Sequence, residues 1–198
     1  MEMQQQNEKY AMDLIIDKVK SGDLSAFNVL IDEYKNMAFT LALKLMKSRE
    51  DAEEVTQDAF LKAYTKIHQF EGKSKFSTWL YTIVYHTALT RLRKKQLPVD
   101  HSQLGQEENL IGYSESDKEW RKLQKEERSS YIQLALSKLS ADDQVAITLF
   151  YLNENSLQEI CEITSWEISN VKVRLHRARK RLLKALESLL DNEVRELL

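Results

Sequence analysis

Apolar residues recur at helical spacing through the first half of the chain: Ala26, Leu30 and Tyr34, then Phe39, Leu43 and Met46, then Val55, Ala59 and Leu61, then Trp79, Ile83 and Leu89. A period near 3.6 over that length predicts a compact helical bundle from Leu14 to about Lys95. Two start signals agree with it. Ser48 precedes an acidic first turn (Glu50, Asp51), and Ser77 stands ahead of TWLYTIVYHTALTRL; in each the side-chain oxygen can accept from backbone N–H groups that a helix start leaves unpaired. Gly72, between Phe70 and Phe76, marks the loop joining the last two helices of the bundle.

Pro98 stops any helix, and the stretch 97–116, LPVDHSQLGQEENLIGYSES, is polar and shows no sustained period. It reads as an interdomain linker. Helical patterning returns from Trp120, and 140–189 resolves into three helix signals: SADDQVAITLFYL, SLQEICEI and WEISNVKVRLHRARKRLLKALESLL. The expected fold is all-α, with two small helical domains: an N-terminal bundle over 10–96, a flexible linker over 97–119 and a C-terminal domain over 120–190.

Composition narrows the setting. Four Gly and one Pro in 198 residues leave little punctuation for a β fold. Cys161 is the only cysteine, so neither a disulfide framework nor a multi-cysteine zinc site is available, and it reads as a core residue. The polar N-terminus MEMQQQNEKY has no apolar leader, and no run approaches the roughly 20 apolar residues needed to span a bilayer; a cytoplasmic protein is expected.

The net charge of −2 hides an uneven distribution. Between Gly72 and Val99 there is no acidic residue, yet Lys73, Lys75, Arg91, Arg93, Lys94 and Lys95 lie there. From Ile168 to Leu186 the same holds, with Lys172, Arg174, Arg177, Arg179, Lys180, Arg181 and Lys184. Two basic segments on an acidic chain point to nucleic acid.

The second basic segment sits in a helix-turn-helix pattern: Ser156–Ile163, a break at Thr164 and Ser165, then Trp166–Arg174. In such a motif the N-terminal turns of the second helix lie in the major groove. Ile160, Ile163, Ile168, Val171 and Leu175 are expected to bury between the helices. Glu167, Ser169, Asn170, Lys172, Val173 and Arg174 are left toward DNA, with Arg177 and Arg181 suited to phosphates. A plain helical hairpin with a basic face is the alternative.

The first basic segment interleaves Phe70, Phe76, Trp79, Tyr81 and Tyr85 with Lys73, Lys75, Arg91 and Arg93. Aromatic rings beside cations suit single-stranded DNA, where bases stack on rings and cations follow the backbone; the same rings would also serve as core. Tyr85 and His86 fall opposite Ile83 and Leu89 and are expected outside. The helix over 48–64 carries Glu50, Asp51, Glu53, Glu54 and Asp58 beside Val55, Ala59 and Phe60. It is either a solvated acidic face or a docking surface for basic helices.

In this order GDLSAFNVLIDEY, SREDAEEVTQDAFLKAY, FEGKSKFSTWLYTI and LTRLRKK resemble the N-terminal conserved domain of the extracytoplasmic-function (ECF) sigma factors. LSKLSADDQVAITLFYLNENSLQEICEITSWEISNVKVRLHRARKRL is similar to their C-terminal domain. The resemblance covers roughly two thirds of the chain and implies a non-enzymatic factor, without cofactor or small-molecule substrate, that brings core RNA polymerase to promoter DNA. It implies polymerase docking at Asp51, Glu54, Val55, Gln57, Asp58 and Phe60. It further implies minus-10 opening by the 70–75 loop and the helix after it (Phe70, Lys73, Lys75, Phe76, Trp79, Tyr85, His86, Arg91, Arg93), and minus-35 reading by 167–181. Metal ligands are not implied. An anti-sigma factor, in this branch often tethered to the inner membrane, is the implied regulator, with an envelope or stress signal upstream.

Departures from the family pattern lie at His86 and Thr90, where Asn and Asp are usual in the minus-10 helix, and at Glu167, Ser169 and Asn170, where a Pro and a Gly-Thr pair are usual. They leave the base preference open. The small negative charge predicts weak DNA binding by the free chain and strong binding after it joins polymerase. A self-sufficient helix-turn-helix regulator would explain 156–181 but not the basic aromatic segment, and would need a two-fold dimer on a palindrome. An adaptor whose basic faces serve an acidic protein is a further alternative. An enzyme has little support: His68, His86, His101 and His176 are scattered, without a metalloprotease pair, phosphate loop or nucleophile elbow.

Overall fold

The computed structural model describes residues 2–46, 48–96 and 131–196, with side chains over 10–46, 48–94 and 131–189. The expected linker and the first residues of the expected C-terminal domain lie outside the described residues. Helix α1 spans Glu2–Lys20, α2 Leu24–Met46, α3 Arg49–Lys66 and α4 Phe76–Gln96, with a short 3-10 turn Ile67–Gln69 after α3. Then come α5, helical over 131–137, and α6 Ala141–Ile147, which runs on into a π turn over Thr148–Leu152. Helices α7 Leu157–Thr164 and α8 Ile168–Glu196 complete the chain. No strand occurs among the described residues.

Local chemistry sets the helix ends. Ser48 and Ser140 cap α3 and α6 by accepting from the Asp51 and Asp143 N–H groups, 3.3 Å each. The α1 end is closed by Gly22 at φ 94°: the Gly22 N–H donates to the Val19 carbonyl and the Asp23 N–H to that of Lys18, at 2.9 and 3.0 Å. Asp23 then caps α2 by accepting from the Ser25 and Ala26 N–H groups. The start of α4 falls at Phe76, one residue before the Ser77 signal.

A continuous core runs through both halves of the chain. Leu30, Leu41, Val55, Ala59, Leu80 and Val84 belong to the same buried cluster as Val145, Leu149, Ile160, Ile163 and Val171. A second, smaller cluster of Leu136, Leu139, Ile147 and Ala178 lies within the C-terminal helices. The helices meet chiefly as α2 with α3 and α4, α3 with α4, and α4 with α7. The last of these seats the C-terminal domain on the N-terminal bundle.

The π turn leaves a polar residue set inside. Thr148 Oγ1, Asn155 Oδ1 and both ends of the Asn153 amide are buried without a hydrogen-bond partner, beside Glu154 at φ 53°. An unpaired buried polar atom costs about 1–3 kcal/mol, so a near-isosteric apolar replacement removes a penalty. Asn155→Leu is expected to stabilise the protein by about 1 kcal/mol, roughly 2–4 °C in Tm for a chain of this size, as read by thermal denaturation.

Candidate nucleic-acid interface

The helix-turn-helix is built by local bonds. At its start the Glu159 N–H donates to Ser156 Oγ (3.2 Å) and the Ser156 N–H donates to the Glu159 carboxylate (2.7 Å), a reciprocal cap. At the end of α7, Ser165 takes a left-handed conformation (φ 60°), and its N–H donates to the Cys161 carbonyl at 2.8 Å. Ile160, Ile163, Val171 and Leu175 bury between the two helices, whereas Ile168, expected with them, is 42% exposed. Ile168 opens the first turn of α8, ahead of Val171, where the helix pair closes.

On α8 the side chains of Glu167, Ser169, Asn170, Lys172, Val173 and Arg177 are exposed. Arg174 is held differently: its guanidinium lies 4.4 Å from the Trp166 ring centroid, donates to Asn170 Oδ1 at 2.9 Å and pairs with Asp142 at 2.8 Å. Arg181 pairs with the buried Asp143. These two cations are therefore tied to α6, and Arg174 and Asn170 reach the surface as one preset unit.

In the N-terminal half the aromatic residues mostly face one another. Phe70, Phe76 and Trp79 form a cluster with centroids 5.4 to 5.7 Å apart, and Tyr34 stacks on Phe76 from α2. Phe70 and Phe76 are buried core residues, so neither offers an open face; Trp79 is half-buried. Tyr81 is buried too, and burial, with Tyr34 and Glu33 nearby, pushes its phenol well above the ordinary range.

Tyr85, expected outside, is 3% exposed. Its ring meets Trp166 edge-on at 6.3 Å, because α7 and the turn that follows it cover that side of α4. Burial raises its phenol, with Asp142 adding to the effect. His86, Thr90 and Arg93 remain exposed.

The cations of this segment are also engaged. Lys73 pairs with Glu71, and Lys75 pairs at 3.0 Å with Glu159 of α7, which also accepts from Thr78 at 3.3 Å. Burial works to raise the Glu159 carboxyl, but the Ser156 N–H, Lys75 and the Ser156 hydroxyl together hold it below the ordinary carboxylate range. Arg91, expected to face DNA, donates to Glu54 at 2.5 Å and to Asp51 at 3.2 Å. Its position, 40 residues from Asp51 in sequence, falls where α4 crosses α3, and the two carboxylates there outcompete solvent for a bidentate guanidinium.

On α3, Glu54, Gln57 and Asp58 are exposed, but Asp51, Val55 and Phe60 are buried. Val55 packs in the core, which takes it out of any docking face. Beside the exposed carboxylates lies an apolar groove of 490 Å³ lined by Leu24, Phe27, Ile31, Gln57, Phe60, Leu61 and Tyr64. Leu24 and Leu61 are 62% and 64% exposed. Leu61, counted with Val55 and Ala59 among the helically spaced positions, stands outside the core instead: two residues after Ala59 it falls on another face of α3, and the groove it lines was not expected.

Comparison with known proteins follows the same division of the chain. Residues 30–97 match the family model of Sigma-70 region 2, and residues 129–182 that of Sigma-70 region 4. The ECF RNA polymerase sigma factor SigW of Bacillus subtilis (strain 168) is 35% identical over 181 residues, covering 88% of this chain and 96% of the relative. The chain belongs to the ECF sigma factors.

This sigma factor is also 29% identical over 197 residues to the ECF RNA polymerase sigma-E factor of Escherichia coli (strain K12), covering 97% and 98% of the two chains. Among solved structures it shares the fold of CnrH in complex with the cytosolic domain of CnrY (TM-score 0.60, 20% identity, 88% and 96% covered). It likewise shares that of the sigma factor RpoE in complex with the anti-sigma factor NepR from Bartonella quintana (TM-score 0.60, 24% identity, 81% and 96% covered). As a sigma factor it directs promoter-specific transcription initiation and is not an enzyme. No helix among the described residues is long and apolar enough to cross a membrane.

Proposed function

We propose that this sigma factor docks on core polymerase through the α3 face, where exposed Glu54, Gln57 and Asp58 flank the apolar groove that ends in Leu61. The minus-10 element is taken by the 70–75 loop and the exposed part of α4, with Trp79, His86 and Arg93 available and Lys73, exposed but paired with its loop neighbour Glu71, exchanging that partner for phosphate. The minus-35 element is read by the first turns of α8, through Glu167, Ser169, Asn170, Lys172 and Val173, with Arg177 on phosphate. On this reading the chain divides into an N-terminal domain over 10–96, a linker over 97–119 and a C-terminal domain over 120–190.

The observation that carries this reading furthest is the contact between the two DNA-directed helix sets. Lys75 of the minus-10 loop is 3.0 Å from Glu159 of the helix-turn-helix, and Tyr85 lies against Trp166. Promoter elements centred near −10 and −35 are about 25 base pairs apart, on the order of 85 Å at about 3.4 Å per step. Helices in van der Waals contact cannot lie on both. On this assignment the α4–α7 contact is a closed arrangement, and promoter binding would separate α4 from α7.

Closure gives a more direct reason than net charge to expect weak DNA binding by the free chain, since it occupies Lys75 and covers Tyr85. An anti-sigma partner that binds the closed pair would keep the factor off promoters; a structural neighbour, the sigma factor RpoE, was solved in complex with the anti-sigma factor NepR. A cytoplasmic protein released by an envelope or stress signal, under an inhibitor that can itself be membrane-tethered, fits this scheme.

The test is a pull-down of the purified chain with core RNA polymerase, followed by sequencing of the promoter DNA that the assembled complex opens. Stable assembly and a discrete pair of elements are expected. Tight binding of the free chain to a palindrome as a dimer would refute the proposal.

A further inference from the structure

The loop that precedes α4 is anchored by a residue outside the span that matches the region 2 family model. Lys20, in the last turn of α1, donates from Nζ to the main-chain carbonyl of Phe70 at 2.9 Å, across 50 residues of sequence and in a partly buried setting. We propose that Lys20 is a positioning residue for promoter opening: it fixes the entry of the 70–75 loop so that the loop can capture the displaced strand.

Several features make this tie more than a stray surface contact. The Gly22 turn that closes α1 holds the Lys20 backbone in place, and Ile16 and Val19, on the same last turns, are 3% and 2% exposed. The ammonium pairs with no carboxylate among the described residues, so its charge is directed at the peptide carbonyl. A lysine at the C-terminal end of a helix is also favoured there by the helix dipole.

At the receiving end, the Phe70 N–H is already used in the 3-10 turn, donating to the Ile67 carbonyl at 3.0 Å, and its ring is buried against Phe76 and Trp79. With ring, N–H and carbonyl all held, Phe70 is a fixed post. Beyond it Glu71, Gly72 and Lys73 are exposed, and Gly72 is at φ 71°, a conformation that other residues rarely take. A post followed by an exposed, left-handed glycine turn is what a strand-capturing loop needs: an end that does not yield when a base is pulled from the stack.

The inference rests on the assignment of the 70–75 loop to the minus-10 strand. Its test compares holoenzymes carrying wild-type protein, K20M, K20R and K73A on one promoter that the wild type opens. Each is measured on the fully paired promoter and on the same promoter with a mismatched bubble over the minus-10 element.

Lys20→Met keeps the apolar stem and loses the donor. It is expected to slow opening of the paired promoter about tenfold, the scale of one charge-assisted hydrogen bond. Initiation on the bubble, affinity for core polymerase and Tm should stay close to wild type, and Lys20→Arg should restore most of the rate. An equal loss on both templates, or a loss of core affinity, makes Lys20 a plain structural residue and overturns the proposal. If Lys73→Ala slows opening and Lys20→Met does not, the proposal fails while the loop assignment stands; if neither has an effect, the loop assignment fails with it.

Discussion

Covalently joining position 75 to position 159 is expected to reduce promoter-directed initiation to background. In a C161S background, K75C and E159C would be bridged in the free protein by a short, reducible bis-maleimide. The Lys75–Glu159 pair at 3.0 Å places the two positions within reach, and the α4–α7 packing holds them there. A bridged protein cannot put α4 and α8 on elements on the order of 85 Å apart. The same protein after reduction, or never bridged, sets the reference rate and absorbs any direct effect of losing Lys75 or the α7 cap. Recovery on reduction is the expected result. Initiation by the bridged form at the reference rate would show that the closed packing is itself compatible with promoter binding.

The same contact has a defined pH behaviour. Glu159 is held below the ordinary carboxylate range in the folded protein, so its contribution is complete above the unfolded value of about 4.3 and is lost only as pH falls through the lower folded value. Against burial, the Ser156 cap within α7 and Lys75 across the contact both lower that value, so the Lys75–Glu159 pair should stay charged across the neutral range, and acidification of a few tenths of a unit should not break it by protonating Glu159. Opening has to come from a partner that binds the separated helices better than the closed pair.

The helices, the Ser48 cap and the helix-turn-helix were legible because each rests on local signals: a period, a Ser with an acidic first turn, two helix signals across a short break; the Ser77 cap was not, because α4 already begins at Phe76. What the period could not show was which surface a second domain covers. Tyr85 lies opposite Ile83 and Leu89 on α4 and reads as outward in an isolated bundle; it is buried because α7 and the turn carrying Trp166 arrive from more than 70 residues away. Arg91 fails for a related reason. A run of cations without acids looks free along the chain, but Asp51 and Glu54 reach it from another helix. Phe70 and Phe76 were left between core and stacking, and the burial of both rings places them on the core side in the closed form. Val55 shows the converse: an acidic helix must still bury one stripe, and Val55 is on it.

The docking face offers the second large effect. Leu61→Glu is expected to lower affinity for core polymerase by a hundredfold or so, equivalent to about 2.7 kcal/mol, the loss typical of one interface hot spot. The change should leave the fold intact. Leu61 is 64% exposed, its helix is capped at Ser48 and anchored through Val55, Ala59 and Ala63, and surface substitutions away from the core usually stay within about 0.5 kcal/mol. The groove it lines is almost wholly apolar, so a carboxylate there would have to be desolvated against Phe27, Phe60 and Tyr64 once a partner helix closed over it.

Titration of labelled sigma factor with core polymerase, without DNA, reads this step alone. Glu54→Ala at the rim should act more weakly and mainly at low salt, because an exposed charge steers association more than it holds the complex. Equal effects of the two substitutions, both abolished by salt, would mean that charge alone directs docking and that the groove is unoccupied in the holoenzyme. A large, salt-independent effect of Leu61→Glu would place an apolar side chain of the polymerase in the groove, and with it the fixed point from which α4 is presented to the promoter.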